Sequence, residues 1–345
     1  MDSLTQLALG AAIGVAVMGR RTAVWKAALW GGIAGTLPDL DAFIDYGDAI
    51  LNMTRHRAES HSLFYLTLAA PLLAWGVSRL QREAALFRRW WLALWLALFT
   101  HPLLDVMTVY GTQLLQPFSS HPFGVGSIFI IDPVYTVPLI IGVVVALRLQ
   151  SSRGLGWNMA GLAFSTLYLG ASALAQQEAM QVARAALQAE GITATGLLVT
   201  AAPFNILVWR LLATTPTQYV EGHYSLLDAS PTVRWTAHDR GATLITQHSN
   251  APSVARIAAF SHGFYRLSEV NGRLFVTDLR MGMEPDYTFH FDLGPAEALA
   301  RQSTQSTKPT LQSQRPDLGT ALPWLWQRIK GQRAQMPAVQ VPPPG

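Results

Sequence analysis

The chain has 345 residues, half of them hydrophobic and only 13% charged, with a formal net charge of +4. Soluble domains usually carry about 25% charged residues, so disorder is excluded and a wholly water-facing fold is disfavoured. There is no cysteine, which excludes disulfide scaffolds, thiolate zinc sites and cysteine nucleophiles, and no basic run points to nucleic acid.

Residues 1–175 hold 11 Lys and Arg and 9 Asp and Glu, against 14 and 12 in residues 176–345. The first half reads as a membrane part and the second as a soluble appendage. Six apolar segments follow one another at 4–19, 23–37, 62–78, 90–107, 133–149 and 155–175. A crossing helix needs ~20 apolar residues, with ~17 as the short limit. The last four segments qualify. The first two are short and joined by Arg20, Arg21 and Lys26, so they read as a helical hairpin, and Gly31, Gly32 and Gly35 favour its close packing. Asp2 and the lack of an early Lys or Arg argue against a signal peptide.

Basic residues orient such a bundle, because cytoplasmic connections collect Lys and Arg. Arg20, Arg21 and Lys26, then Arg79, Arg82, Arg88 and Arg89, then Arg148 and Arg153 fall on one side; only Arg55 and Arg57 fall on the other. The first side is expected to be cytoplasmic. The acids sort the opposite way. Of the nine in this half, Glu83 alone lies with the basic connections, while Asp2, Asp39, Asp41, Asp45, Asp48, Glu59, Asp105 and Asp132 lie at outer ends beside His56, His61, His101 and His121. Neither hydropathy nor the orientation rule used those residues.

The second half opens with a helix-like stretch near 176–190. Runs rich in Val, Ile, Tyr, Phe and Thr follow at 196–202, 204–213, 217–227, 242–247, 254–268, 273–279 and 286–293. Asn271-Gly272 and Asp239-Arg240-Gly241 between them predict hairpin turns. Residues 300–320 read as a Gln/Ser/Thr-rich linker, 321–331 as a short interfacial or docking helix, and the Pro-rich end as a tail.

Four outer clusters carry candidate chemistry: Asp39 with Asp41; His56, Arg57, Glu59 and His61; His101 with Asp105; and the polar loop 110–132. His101 and Asp105 are spaced i, i+4 and share a helix face. Imidazole with carboxylate suits Zn²⁺, Mn²⁺ or Fe²⁺. Asp39, Asp41, His56, His61, His101 and Asp105 are therefore candidate ligands for one or two divalent ions, zinc or manganese first. Two ions bridged by a carboxylate are the arrangement used for phosphoester hydrolysis. Arg57 is placed to hold an anionic group, and Glu59 is a candidate general base.

Met1-Asp2-Ser3-Leu4-Thr5-Gln6, Gly35-Thr36-Leu37-Pro38-Asp39-Leu40-Asp41, His56-Arg57 with Ser60-His61-Ser62, His101-Pro102-Leu103-Leu104-Asp105 and Ile131-Asp132-Pro133 occur in one order. Over about residues 1–150 this resembles the bacterial membrane-bound metal-dependent hydrolases, also described as LexA-binding, inner-membrane-associated hydrolases. The resemblance implies a multi-pass inner-membrane protein with a metal site. Many members of that family have a His where this chain has Gln6.

The expected fold is mainly α: a multi-pass transmembrane bundle of about six segments (1–175), then an extracytoplasmic helix plus antiparallel β domain (176–298), then a linker, short helix and disordered tail (299–345). The expected function is metal-dependent hydrolysis at the outer, periplasmic face of the inner membrane, on a phosphoester, lipid-linked or other small-molecule substrate, with membrane lipid as surroundings and a protein partner for the β domain. Two alternatives belong to other classes. In a proton- or cation-coupled transporter, His101 and Asp105 would relay charge. In a non-catalytic envelope scaffold, the metal would only stabilise the bundle.

Overall fold

The structure, a computed structural model, describes residues 1–300, 308–313 and 317–333. Residues 301–307 and 314–316 of the expected linker, and 334–345 of the Pro-rich tail, lie outside the described residues; within the rest of the expected linker Thr310–Leu311 is a strand and residues 318–320 begin a helix. The chain divides into two compact units: one comprises Met1–Tyr46, Asn52–Leu174 and Pro203–Asn205, the other Gly47–Leu51, Ala175–Ala202 and Ile206–Gly345.

The first unit is helical. Its helices are α1 (Ser3–Met18), α2 (Val24–Thr36), α4 (Leu63–Leu80), α5 (Phe87–Val106), α6 (Pro133–Leu149) and the first part of α7 (Ser152–Ala189), with residues from Asn52 onward of the short α3 (Ala49–Arg55) between α2 and α4. Local chemistry starts them. Asp2 caps α1 by accepting from the Leu4 and Thr5 amides, Ser62 caps α4, and Asp132 caps α6 ahead of Pro133. Asp2 and Asp132 thus have structural work to do.

Small residues then bring α1 and α2 together. A Cβ on Gly10 would lie 2.3 Å from the Gly31 carbonyl oxygen, and one on Gly14 2.2 Å from that of Ala27. Backbones this close leave no room for a side chain. Around them Ala12, Val15, Met18, Ala27, Ala34, Trp90, Leu94 and Leu139 form the core. At the end where the basic connections meet, Glu83 accepts from Thr22, Lys26 and the Trp90 indole.

The six expected segments are all helical, but a six-span bundle is not what they build. Among the described residues only Leu63–Leu80 is long and apolar enough to cross a membrane, with a mean hydropathy of 1.4. Helix α2 has 13 residues, which reach ~20 Å at ~1.5 Å per residue against a hydrocarbon core of ~30 Å. Helices α1 and α6 stop at 16 and 17 residues. Arg88, Arg89, His101 and Asp105 dilute α5, and the 38 residues of α7 turn polar in their second part. Counting apolar runs overstated the crossings because several runs end on charged or glycine-rich turns before the needed length. "Mainly α" is corrected as well, since the second unit holds two four-stranded sheets.

In that unit β1 (Gly196–Ala201), β2 (Val208–Thr214), β3 (Gln218–Ser225) and β4 (Thr236–Asp239) form an antiparallel sheet in sequence order. The later part of α7 packs on it through Ala175, Ala179, Val182 and Ala183 against Val199, Trp209 and Leu211. Helices α8 (Ala242–His248) and α9 (Pro252–Phe260) replace strands expected there. Val254, Ile257 and Phe260 are buried at a three-residue spacing, which is helical, and Pro252 starts the helix. The second sheet has the order β10-β9-β6-β5, from β5 (Tyr265–Val270), β6 (Arg273–Asp278), β9 (His290–Pro295) and β10 (Thr310–Leu311). Between β6 and β9 lie the paired two-residue strands β7 (Gly282–Met283) and β8 (Asp286–Tyr287), and α10 (Ala296–Ala300) follows β9. Asn271 and Gly272, at φ 52° and 73°, make the β5–β6 turn. Gly241, at φ 76°, leads instead into α8. The last helix, α11 (Leu318–Ile329), seats Trp324 and Leu325 on Ala202 and Val208, and Arg328 pairs with Asp228 at 2.7 Å.

His223 on β3 sits beside the buried Arg210–Glu221 ion pair with its Nε2 buried and unpartnered. Burial, reinforced by the charges of Arg210 and Arg328 against that of Glu221, pushes its pKa down to about 4. Between pH 6.5 and 4 the unfolded chain binds a proton that the folded one refuses. Stability is therefore complete above pH 6.5 and falls as pH drops, by about 3 kcal/mol in total. Thermal melts from pH 7 to pH 4 should show that loss, and His223→Leu should flatten the profile across the window.

Candidate metal centre

The site is assembled at one end of the helical unit. Asp39 lies in the 3₁₀ turn Leu37–Phe43 that ends α2, and His61 closes the 3₁₀ turn Glu59–His61 just before α4. His101 and Asp105 stand one turn apart near the end of α5, which runs back beside α4; the Trp95 indole donates to Thr67 across that pair at 3.1 Å. Pro38 at the start of its turn and the Ser62 cap fix where the two short segments stop, which aims their side chains inward.

Four ligand atoms, from Asp39, His61, His101 and Asp105, lie within 4.8 Å of one another. His61 Nε2 is 3.1 Å from His101 Nε2, 3.4 Å from Asp39 Oδ1 and 3.3 Å from Asp105 Oδ2. His101 Nε2 is 3.5 Å and 3.4 Å from the same two oxygens. An ion held tetrahedrally at ~2.0–2.1 Å sets its ligand atoms ~3.3 Å apart. Five of the six pairwise distances match that spacing, and the sixth, between the Asp39 and Asp105 oxygens, lies within 4.8 Å.

Proton placement agrees. His101 Nδ1 lies 2.6 Å from the Gly35 carbonyl oxygen, which can only accept, so Nδ1 carries the hydrogen and Nε2 of the neutral ring a lone pair. Ser60 donates to Asp41 at 2.5 Å, leaving its oxygen to accept from His61 Nδ1 at 2.8 Å. His61 Nε2 is then a lone pair as well. With both rings neutral, two imidazole lone pairs and two carboxylate oxygens converge, and Asp105 Oδ2 is buried with no hydrogen-bond partner. Such a set attracts a cation, a metal ion or a proton, beyond the Met1 amino group and the Arg57 guanidinium that already pair with Asp105. The residues present fit a divalent metal ion.

The surroundings hold the ligands in place. Gln6 Nε2 donates to Asp105 Oδ1 at 3.0 Å and to the His101 carbonyl at 3.2 Å, while Gln6 Oε1 is buried without a partner. The Met1 amino group also pairs with Asp105 Oδ1. Arg57, at φ 65°, puts Nε 3.4 Å from Asp105 Oδ2 and its guanidinium over the Tyr110 ring.

The other candidates are elsewhere. Asp41 and His56 pair with each other at 2.8 Å, outside the four-atom group. Asp41 also accepts from the Arg57 amide, so it fixes the 56–61 segment and, through Ser60, the His61 ring. Burial alone would raise its carboxyl. The His56 hydrogen bond and charge, with the Ser60 hydroxyl, outweigh that and hold it below the usual carboxylate range. Glu59 and His121 are exposed. The sequence places Ser60 and Tyr110 in the candidate clusters without assigning either a role, and leaves no sign of the Gly35 carbonyl. Ser60 was detectable, being adjacent to His61 in a cluster otherwise rich in charge.

The comparisons with known proteins bear on the same region. The chain is 29% identical over 139 residues to YfhP of Bacillus subtilis (strain 168), described as an uncharacterized protein; the match covers 39% of this chain and 42% of that protein. The chain thus spans less than half the length of this curated relative. No solved structure matches. The family described as YdjM inner membrane protein matches residues 1–179, which contain the whole Asp/His cluster. The chain belongs to the YdjM inner membrane protein family.

Proposed function

We propose that the chain is a metal-dependent phosphoester hydrolase whose centre opens to the outer face of the inner membrane. The observation that carries this reading is the convergence of two imidazole lone pairs and two carboxylates, Asp39, His61, His101 and Asp105, on one point. Zinc suits the tetrahedral spacing better than manganese, and one ion suits it better than two. The orientation follows from α4. Its site end follows His61, and its other end leads into Arg79, Arg82, Arg88 and Arg89, the composition of a cytoplasmic connection.

Three ligands are fully buried, whereas the Asp39 side chain keeps 17% of its surface exposed. Solvent and substrate therefore approach past Asp39. A bound ion supplies Lewis acidity toward water and a phosphoryl oxygen. With Asp39 Oδ1 on the ion, the other oxygen of that carboxylate would take the proton of the attacking water as the water oxygen bonds to phosphorus. The ester P–O bond breaks, its electron pair stays on the leaving oxygen, and Asp39 returns the proton there. Asp39 is better placed for this than the exposed Glu59. Arg57, buried beside Asp105, steadies that carboxylate.

Purified protein supplied with Zn²⁺ or Mn²⁺ should release phosphate or alcohol from lipid phosphates or phosphodiesters, and Asp39→Asn should lower kcat by roughly 100-fold or more. No turnover on either class would overturn the reading. A second reading, the metal-stabilised scaffold, has one observation behind it: four protein ligands are the usual number in closed structural zinc sites. It predicts that Asp39→Asn lowers stability and that wild type turns nothing over.

A further inference from the structure

The turn that supplies Asp39 also carries apolar side chains that point into solvent. Phe43 is 87% exposed, and Leu40 and Ile44 are each more than half exposed. A 3₁₀ turn that carries two carboxylates has no folding reason to present Leu40 and Phe43, with Ile44 just after them, to water, where each forgoes ~1.5–3 kcal/mol of burial. Exposed apolar surface of this kind marks a contact site.

The rest of the unit says what the contact is. Helix α4 begins two residues after His61 and is the candidate membrane crossing. Its exposed residues Phe64, Leu68, Leu72 and Trp75 recur at the spacing of one helix face. Phe64 also meets the exposed Phe118 of loop 110–132, with ring centroids 5.3 Å apart. An exposed apolar stripe therefore runs up to the segment that holds His61, and the exposed apolar turn of Asp39 supplies another ligand of the same site. The partly exposed edge of the centre is the Asp39 edge.

We propose that Leu40, Phe43 and Ile44 seat the hydrocarbon tail of a phospholipid whose phosphate reaches the Asp39–His61–His101–Asp105 centre, so that the site takes its ligand sideways from the bilayer. The headgroup part rests on the phosphoester reading above. The tail part rests on the exposed turn and on α4. An amphiphile with a phosphate at one end and an acyl chain at the other matches a polar centre edged by apolar side chains at the end of a membrane helix. A soluble phosphoester would leave that rim unused.

The probes are dioleoyl phosphatidate and glycerol 3-phosphate, which share a phosphate monoester and differ in the acyl chains. Binding to the full-length, metal-loaded protein in detergent is followed by native mass spectrometry. Wild type should bind phosphatidate at least tenfold more tightly. Leu40→Ser/Phe43→Ser should bring that ratio within about threefold of unity, with glycerol 3-phosphate binding, metal content and Tm unchanged. Equal affinities in wild type, binding of neither probe, or a ratio untouched by the double substitution would overturn the proposal. Tail preference that persists while neither these monoesters nor phosphodiesters are hydrolysed would overturn the hydrolase reading and leave this one standing.

Discussion

His61→Ala is expected to empty the centre. Purified wild type should carry about one divalent ion per chain, and the variant less than about a tenth of that. His61 Nε2 lies 3.1–3.4 Å from the other three ligand atoms, so its loss opens one corner of the set while Asp39 and Asp105 remain close to a single imidazole. Buried carboxylates without a counter-charge are costly, and binding energy lost to an ion is folding energy lost to the chain. The melting temperature should fall by roughly 10 °C, and a chelator should lower that of wild type but not of the variant. His56→Ala is the control. It removes a similar ring from the same segment, but His56 pairs with Asp41 outside the four-atom group, so the ion should stay.

Gly31→Leu is expected to do comparable damage from a position that touches no ligand. A Cβ there would lie 2.2 Å from the Gly10 carbonyl oxygen, which is backbone and cannot swing away. Helices α1 and α2 would have to separate, at a cost of about 3 kcal/mol or more. The site would then suffer through the backbone. Gly35, one helical turn further along α2, presents the carbonyl that fixes His101 Nδ1, and Gln6 on α1 holds Asp105. Loss of the ion together with a lowered Tm is the expected result, whereas Gly76→Leu, where nothing lies within 4 Å of the added Cβ, should leave both unchanged. A Gly31→Leu protein with a full complement of ion would contradict this coupling.

Much of the centre was readable beforehand because its chemistry is concentrated in residue types that are costly in an apolar region. His101 and Asp105 sit at helical spacing in an apolar segment, and no packing argument accounts for them. The division of labour was not readable. Asp41 and His56 are the same residue types in the same cluster as Asp39 and His61, and only the turns that carry them decide which pair faces the centre. The Gly35 carbonyl is backbone and leaves no mark on the sequence beyond the glycine spacing that lets α2 approach. The helices were located well, but crossing a membrane is a matter of length. Thirteen residues in α2 and the charged ends of α5 fall short where an apolar run alone looked sufficient. Near Pro252 the β-branched and aromatic residues suggested a strand, while the burial of Val254, Ile257 and Phe260 follows helical spacing.

The central claim is that one ion sits among two imidazoles and two carboxylates. X-ray absorption at the metal edge of the purified, zinc-loaded protein tests it most directly. The account predicts a first shell of about four light atoms at ~2.0–2.1 Å, with outer-shell scattering from two imidazole rings that drops to one in His101→Ala. A protein that takes up no metal, or an all-oxygen shell without imidazole scattering, would contradict it.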